Sequence, residues 1–198
     1  VQEADKLADP GNRNSAPKDV DPAALTMPPW LPDTPDARID LAQYFSCVRI
    51  IDAFVGEVLA KLEASGQADR TLVVFTGDHG IPCQRGKMTI YPAGTHVPLF
   101  VKGPGVKAGR IITAPVSQMD FNPTFLEAFG LPPLPNTHAS SLWPILSGKT
   151  DQVAGRRSVL TEANGTYPSF KSEGRAPDAK AARALCDGRY YYIANIIQ

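Results

Sequence analysis

TLVVFTGDHG, residues Thr71 to Gly80, has the pattern of a strand that runs straight into candidate ligands. A run of mostly β-branched and aromatic residues ends abruptly in a small residue, a carboxylate, an imidazole and a glycine. A near-continuous apolar run of this kind suits a buried strand of a parallel sheet, covered on both faces by helices. In open α/β sheets ligands gather at the carboxyl ends of such strands, which is where Asp78 and His79 stand.

Working outward from that strand, a helix is expected upstream and a second strand downstream. Thr34 has the chemistry of an N-cap, Pro35 suits the first helical position and Asp36 favours the positive end of the helix dipole. Leu41, Tyr44, Phe45, Val48, Ile51, Val55, Val58, Leu59 and Leu62 then recur at three- and four-residue steps, so one face is expected to pack on a sheet, and Gly66 supplies a stop. Downstream, Gly80 to Thr95 carries glycines at 80, 86 and 94 and prolines at 82 and 92, and reads as a flexible, polar site loop. Val97 to Lys102 resumes a strand that Gly103-Pro104-Gly105 ends, and Ile111 to Val116 is a further strand candidate. Asp120 to Phe129 predicts a short helix with Pro123 in its first turn and Gly130 at its end.

Ser158 to Glu162 and Arg183 to Asn195 read as strands, the latter split by the hairpin signal Asp187-Gly188. Strand, helix, strand and then a separate hairpin argue an α/β fold with an appended antiparallel α+β piece. The expected division is an extended connecting arm over 1–33, rich in Pro and Asp, an α/β part over 34–150 and a small subdomain over 151–198. The opening Val1 and the apolar run Tyr190 to Ile197 at the other end make the chain read as a fragment, because an unpaired hydrophobic edge is normally protected.

Composition narrows the function. The 198 residues are 43% hydrophobic, enough for one core, and the 20 basic and 20 acidic side chains cancel. No basic footprint for nucleic acid exists, and no stretch approaches the roughly 20 apolar residues of a membrane span. Cys47, Cys83 and Cys186 are widely spaced, with no C-x-x-C pair and no disulfide or structural zinc pattern.

Asp78 and His79 can turn toward one cation if the chain bends at Gly80, and a carboxylate with an imidazole suits Ca²⁺, Mn²⁺ or Zn²⁺. The competing reading is a solvated turn in which Asp78 accepts backbone hydrogen bonds and His79 caps a helix elsewhere. Lys87, in the same loop, can bring a compact positive charge to an anionic sulfuryl or phosphoryl group, or stand as an ordinary surface lysine. His96 either lines the same mouth or packs against Tyr91, and His138 sits among small residues as a solvated side chain. A thiol nucleophile at Cys83, with His79 as base and Arg85 lowering its pKa, lacks any group to orient the base. Asn164-Gly165-Thr166 matches the N-glycosylation acceptor pattern, a pattern common by chance.

Pro29-Trp30-Leu31-Pro32-Asp33-Thr34-Pro35, the helix through Asp52 and Gly56, FTGDHGIP, Gly86-Lys87-Met88-Thr89-Ile90-Tyr91 to Gly94, Val97-Pro98-Leu99, Gly103-Pro104-Gly105 and Met119-Asp120 to Gly130 together resemble the sulfatases of the alkaline phosphatase superfamily, in order and spacing. They are similar in particular to the branch around heparan N-sulfatase (sulfamidase); the likeness covers about Met27 to Gly148, and more loosely Tyr167-Pro168 and the strand Arg189 to Asn195. The resemblance implies an alkaline-phosphatase-like sandwich, a mostly parallel sheet between helices, followed by the start of a small antiparallel subdomain. It also implies hydrolysis of sulfate from oxygen or nitrogen by a formylglycine nucleophile and a divalent cation, usually Ca²⁺, with Mn²⁺ or Mg²⁺ as other candidates. On that likeness Asp78 and His79 fall on metal positions, His79 where many members have Asn, and Lys87 falls on the position of a cationic sulfate contact. The implied substrate is a sulfated small molecule or saccharide, and the implied location is the periplasm, the lysosome or outside the cell.

The departures are equally specific. None of the cysteines begins a C-x-P-S-R motif from which formylglycine is made, since Cys47 precedes Val-Arg, Cys83 precedes Gln-Arg and Cys186 precedes Asp-Gly. No Asp-Asp pair is present to complete a metal site. The chain therefore reads as the C-terminal portion of a sulfatase that hydrolyses nothing by itself, with a phosphonate or phosphodiester hydrolase of the same superfamily and a non-catalytic scaffold as the rival readings.

Overall fold

The computed structural model describes residues 19–163 and 181–196. The Asn164 acceptor pattern, Tyr167-Pro168 and the first part of the expected arm lie outside the described residues. The chain divides after Ala68 into two compact units.

In the first unit the helix begins where its signals converge. Helix α1 (Pro35–Ala64) takes Thr34 as its N-cap, with the Thr34 hydroxyl accepting from the Ala37 N–H, and Asp36 in its first turn. The segment before it is bound to the helix rather than merely extended. The Arg38 guanidinium holds the Asp33 carboxylate through Nε and through Nη2 at 2.9 Å, and donates to the carbonyls of Pro22 at 3.1 Å and Leu25 at 3.0 Å. A short 3₁₀ turn at Pro22–Ala24 brings those carbonyls round, capped by the Asp21 side chain. Leu41, Ala42 and Ser46 are buried, yet Ile39, Phe45, Val48, Ile51, Phe54 and Val58 are exposed. Along the expected stripe Leu41 is buried and Tyr44, Val55, Leu59 and Leu62 are half-buried, whereas Phe45, Val48, Ile51 and Val58 are exposed.

The second unit starts with β1 (Val73–Thr76), which pairs antiparallel with β2 (Leu99–Lys102) in the register Val74↔Val101 and Thr76↔Leu99. Here the sequence expectation is corrected in two respects. β1 is half-buried rather than buried, with Phe75 exposed, and the strand pairs found among the described residues are antiparallel. Side chains alternate across a strand, so Leu72, Val74 and Val101 share one face and meet Phe121, Phe125, Leu142 and Leu146 along an apolar seam. Phe75 and Phe100 lie opposite one another on the other face with ring centroids 6.1 Å apart.

The seam is closed by α3 (Phe121–Ala128) and α4 (Trp143–Leu146), and α2 (Pro92–Thr95) lies in the loop between β1 and β2. Leu142, Ile145 and Val153 form the buried cluster, flanked by Leu99, Ile112, Ala114, Val116, Phe121 and Leu146. The expected strand over 111–116 is absent; the backbone there is irregular, with Ile111 almost fully exposed while Ile112, Ala114 and Val116 pack on the cluster.

The C-terminal strands form the expected antiparallel sheet, β3 (Val159–Ala163), β4 (Ala181–Cys186) and β5 (Tyr191–Ile196), in that order. The turn between β4 and β5 is displaced by one residue from the expected Asp187-Gly188 pair. The Asp187 N–H bonds to the Tyr190 carbonyl, so the central residues are Gly188 and Arg189, and Gly188 has φ +90°. A positive φ at the first central position is what a type II′ turn asks of glycine.

Candidate active site

Asp78 and His79 leave the end of β1 and meet at once. Asp78 Oδ1 accepts from the His79 N–H at 2.9 Å, and Oδ2 lies 3.5 Å from His79 Nε2. The Gly80 carbonyl, 2.9 Å from His79 Nδ1, can only accept, so Nδ1 carries the proton and the lone pair of the neutral ring is on Nε2, beside the carboxylate. Cation ligands at bonds of about 2.4 Å and a right angle stand about 3.4 Å apart, so this pair has the spacing of two neighbours in one coordination shell. The Asp78 side chain is 88% exposed, which leaves its oxygens accessible. No third His, Cys, Asp or Glu joins them in a group suited to a metal among the described residues. A carboxylate oxygen and an imidazole nitrogen are two donors that suit a divalent cation, and two alone do not complete a coordination shell.

The turn is held from behind. Gln118 donates through Nε2 to the Gly77 carbonyl, one residue before Asp78. Gln118 belongs to a 3₁₀ turn, Gln118–Asp120, closed by a capping box between Ser117 and Asp120. Asp120 is fully buried, accepting from the Ser117 N–H at 2.8 Å and the Ser140 N–H at 3.0 Å and pairing with both terminal nitrogens of Arg156. Neither Gln118 nor Arg156 was singled out from sequence; a glutamine or an arginine carries no local signal of a partner 41 or 36 residues away.

The loop from Gly80 to Thr95 is closed by hydrogen bonds within itself. Gly80 N–H bonds to the Gly94 carbonyl at 2.9 Å, Lys87 N–H to the Ile81 carbonyl at 2.8 Å and Gly86 N–H to the Cys83 carbonyl at 2.8 Å. A Cβ on Gly80 would lie 1.8 Å from the Ala93 oxygen, one on Gly86 1.9 Å from the Ile81 oxygen and one on Gly94 2.3 Å from the Gly86 oxygen. The three glycines permit close backbone packing. Arg85 and Met88, on either side of Gly86-Lys87, have φ of 60° and 67°, a conformation costing non-glycine residues about 1–3 kcal/mol. Such strain gathers at functional positions when the surrounding structure imposes it.

Lys87 is exposed, and no hydrogen bond or ion pair among the described residues joins its side chain to Asp78 or His79. The Arg85 guanidinium lies over the Tyr91 ring, 5.3 Å from its centroid. His96 is exposed and its N–H closes α2 on the Pro92 carbonyl; His138 is exposed as well. No helix among the described residues is long and apolar enough to cross a membrane.

The family model described as Sulfatase matches residues 10–131, more than half of the chain and all of the elements from the arm through α3. The chain belongs to the sulfatase family. This sulfatase-family chain is 37% identical to human N-sulphoglucosamine sulphohydrolase over 142 residues, 71% of its own length and 27% of that protein's. It is 38% identical to zebrafish (Danio rerio) arylsulfatase K over 110 residues, 54% of its length and 21% of that protein's. The chain thus spans about a quarter of the length of these relatives.

Among solved structures, the phosphonate monoester hydrolase of Silicibacter pomeroyi superposes with a TM-score of 0.68 at 29% identity, over 88% of this chain and 37% of that one. A protein solved with its substrate D-glucosamine-2-N,6-O-disulfate shares the fold, with a TM-score of 0.61 at 22% identity over 79% of this chain and 31% of that one. The fold is accordingly the alkaline-phosphatase-like α/β fold of these hydrolases, of which the described residues contain the antiparallel β1–β2 pair, its covering helices and the C-terminal antiparallel sheet.

Proposed function

We propose that the protein hydrolyses sulfate esters or N-sulfates, with a sulfated saccharide as the substrate class, and that this chain supplies one side of the site. The observation that carries the reading is the convergence of Asp78 Oδ2 and His79 Nε2, 3.5 Å apart at the exit of β1, inside the region matched by the sulfatase family. Asp78 and His79 would hold a divalent cation, Ca²⁺ first and Mn²⁺ or Mg²⁺ next. When bound, the cation polarises a sulfuryl oxygen and offsets the charge that develops on the transferred group.

Within that reading His79 keeps its Nε2 lone pair available through the Gly80 hydrogen bond, and Asp78 supplies the anionic partner. Lys87 contributes a fixed positive charge toward a sulfate oxygen, worth most where water is excluded. No cysteine here stands in a formylglycine motif, so the nucleophile and the remaining ligands belong to sequence beyond these 198 residues. The chain alone is inactive on this reading. Periplasmic, secreted or lysosomal residence accompanies it as a family expectation.

A second reading, phosphonate or phosphodiester hydrolysis, is favoured by one observation: phosphonate monoester hydrolases superpose on this chain at TM-scores of 0.68 and 0.67. The two separate in one assay of the intact protein with aryl sulfate and aryl phosphonate monoester. Faster turnover of the sulfate supports the first reading and faster turnover of the phosphonate replaces it; hydrolysis of neither leaves the scaffold role alone.

A further inference from the structure

We infer that Tyr191, on the C-terminal hairpin, is a positioning residue for the loop that carries Lys87. The inference extends the proposed role of that loop to a residue about a hundred positions away.

Three consecutive tyrosines, Tyr190, Tyr191 and Tyr192, surround the start of β5, and they are disposed differently. Tyr190 and Tyr192 are 64% and 68% exposed, whereas Tyr191 is half-buried. The alternation of a strand explains the contrast between Tyr191 and Tyr192, whose side chains leave opposite faces. A phenol turned inward needs a partner for its hydroxyl. Tyr191 has two: it donates to the Ile90 carbonyl, and its oxygen lies 3.0 Å from the Thr95 hydroxyl. Thr95 closes α2, and Ile90 is among the most buried residues of the chain, so both contacts fall on the structured half of the loop.

These two bonds matter because the loop is strained where Lys87 sits. Left-handed backbone at Arg85 and Met88 persists only when neighbouring contacts over-determine it. The internal bonds of the loop, Gly80 to Gly94, Lys87 to Ile81 and Thr89 to Gly86, fold it upon itself without relating it to the rest of the unit. Tyr191 relates it to β5, and through the ladder Cys186↔Tyr191 to β4. The hairpin thereby sets where the Lys87 ammonium stands, touching neither substrate nor reacting atoms.

Tyr191→Phe in the full chain removes the hydroxyl and keeps the ring. Amide hydrogen exchange is expected to speed up on the order of tenfold at Gly80, Gly86, Lys87, Thr89 and Gly94, with the β3–β4 ladder unchanged. Unchanged loop exchange, or equal acceleration in loop and ladder, overturns the inference. In the intact protein, Tyr191→Phe is expected to lower kcat/KM for an aryl sulfate in the wild-type background and to have no further effect beside Lys87→Ala. Additive losses overturn it, because a merely structural tyrosine acts equally in both backgrounds. If Lys87→Ala leaves hydrolysis unchanged, the sulfate contact assigned to Lys87 falls, and the exchange measurement still decides the role of Tyr191.

Discussion

The guanidinium of Arg156 closes on both carboxylate oxygens of Asp120, a side chain with no solvent exposure, and the same carboxylate accepts the backbone N–H groups of Ser117 and Ser140. One buried charge therefore fastens the turn before α3, the segment before α4 and the segment after Val153. Removing one partner of a buried pair leaves a desolvated charge uncompensated, at a cost of about 3–5 kcal/mol. Arg156→Met is expected to lower the urea midpoint accordingly, and adding Asp120→Asn to that variant to recover part of the loss. An unchanged midpoint in the single variant would show that the pair contributes no stability.

Two glycine substitutions should move stability in opposite directions. Gly80→Ala forces a methyl group to within 1.8 Å of the Ala93 oxygen, a backbone atom that cannot yield cheaply, and a loss of about 1–3 kcal/mol is expected. Gly56 lies mid-helix in α1 with nothing within 4 Å of its virtual Cβ, so Gly56→Ala should stabilise by about 0.5–1 kcal/mol. Thermal melts of the two variants beside the parent chain check both signs.

Acid should loosen the ends of two elements in particular. Asp33 is held below the ordinary carboxylate range by its hydrogen bonds to Arg38, and Asp187 by the backbone N–H groups of Tyr190 and Arg189. A folded-state pKa below the unfolded one gives stability that is present above the unfolded value and lost as pH falls through the folded value. The start of α1 and the β4–β5 turn should therefore fray in the acid range while remaining insensitive around neutrality. Carboxyl chemical shifts titrated by NMR would report midpoints for both residues below those of a free aspartate; ordinary midpoints would remove the argument.

The metal assignment predicts a graded response at two neighbouring positions of the intact protein. Asp78→Ala should lower kcat/KM by about a hundredfold or more, since it removes the anionic ligand and leaves the cation poorly held. His79→Asn should retain more activity with Ca²⁺ than with Mn²⁺, because an amide oxygen suits the harder cation and imidazole the softer one. Chelator should abolish turnover and added cation restore it. Full activity in chelator would end the metal reading of this pair.

Much of the chain was legible before folding was considered, wherever a signal is local. Thr34 and Pro35 start α1 because a cap and a fixed φ act within one turn, and Gly66 and Gly130 follow the two main helices where their stops were read. Asp187-Gly188 marked the hairpin, though the turn centres on Gly188 and Arg189, since which residues flank a turn depends on strand register. The strand at 111–116 failed for a related reason. Ile112, Ala114 and Val116 pack on the Leu142 cluster, and among the described residues no strand pairs with their backbone.

Legible in the residues alone were the α/β character, the exit of β1 at Asp78-His79, the placement of Lys87 in the following loop and the family likeness that the comparisons bear out. These rest on periodicity, capping and adjacency, which act over a few residues. Only the folded chain shows that β1 pairs antiparallel with β2, that three glycines pack backbone against backbone, that Gln118 bonds the carbonyl before Asp78, that Arg156 pairs with Asp120 and that Tyr191 bonds the Ile90 carbonyl. Such relations join residues that composition and spacing leave independent. They exist only after loop closure brings buried polar groups together, where each must find a partner or be left unsatisfied.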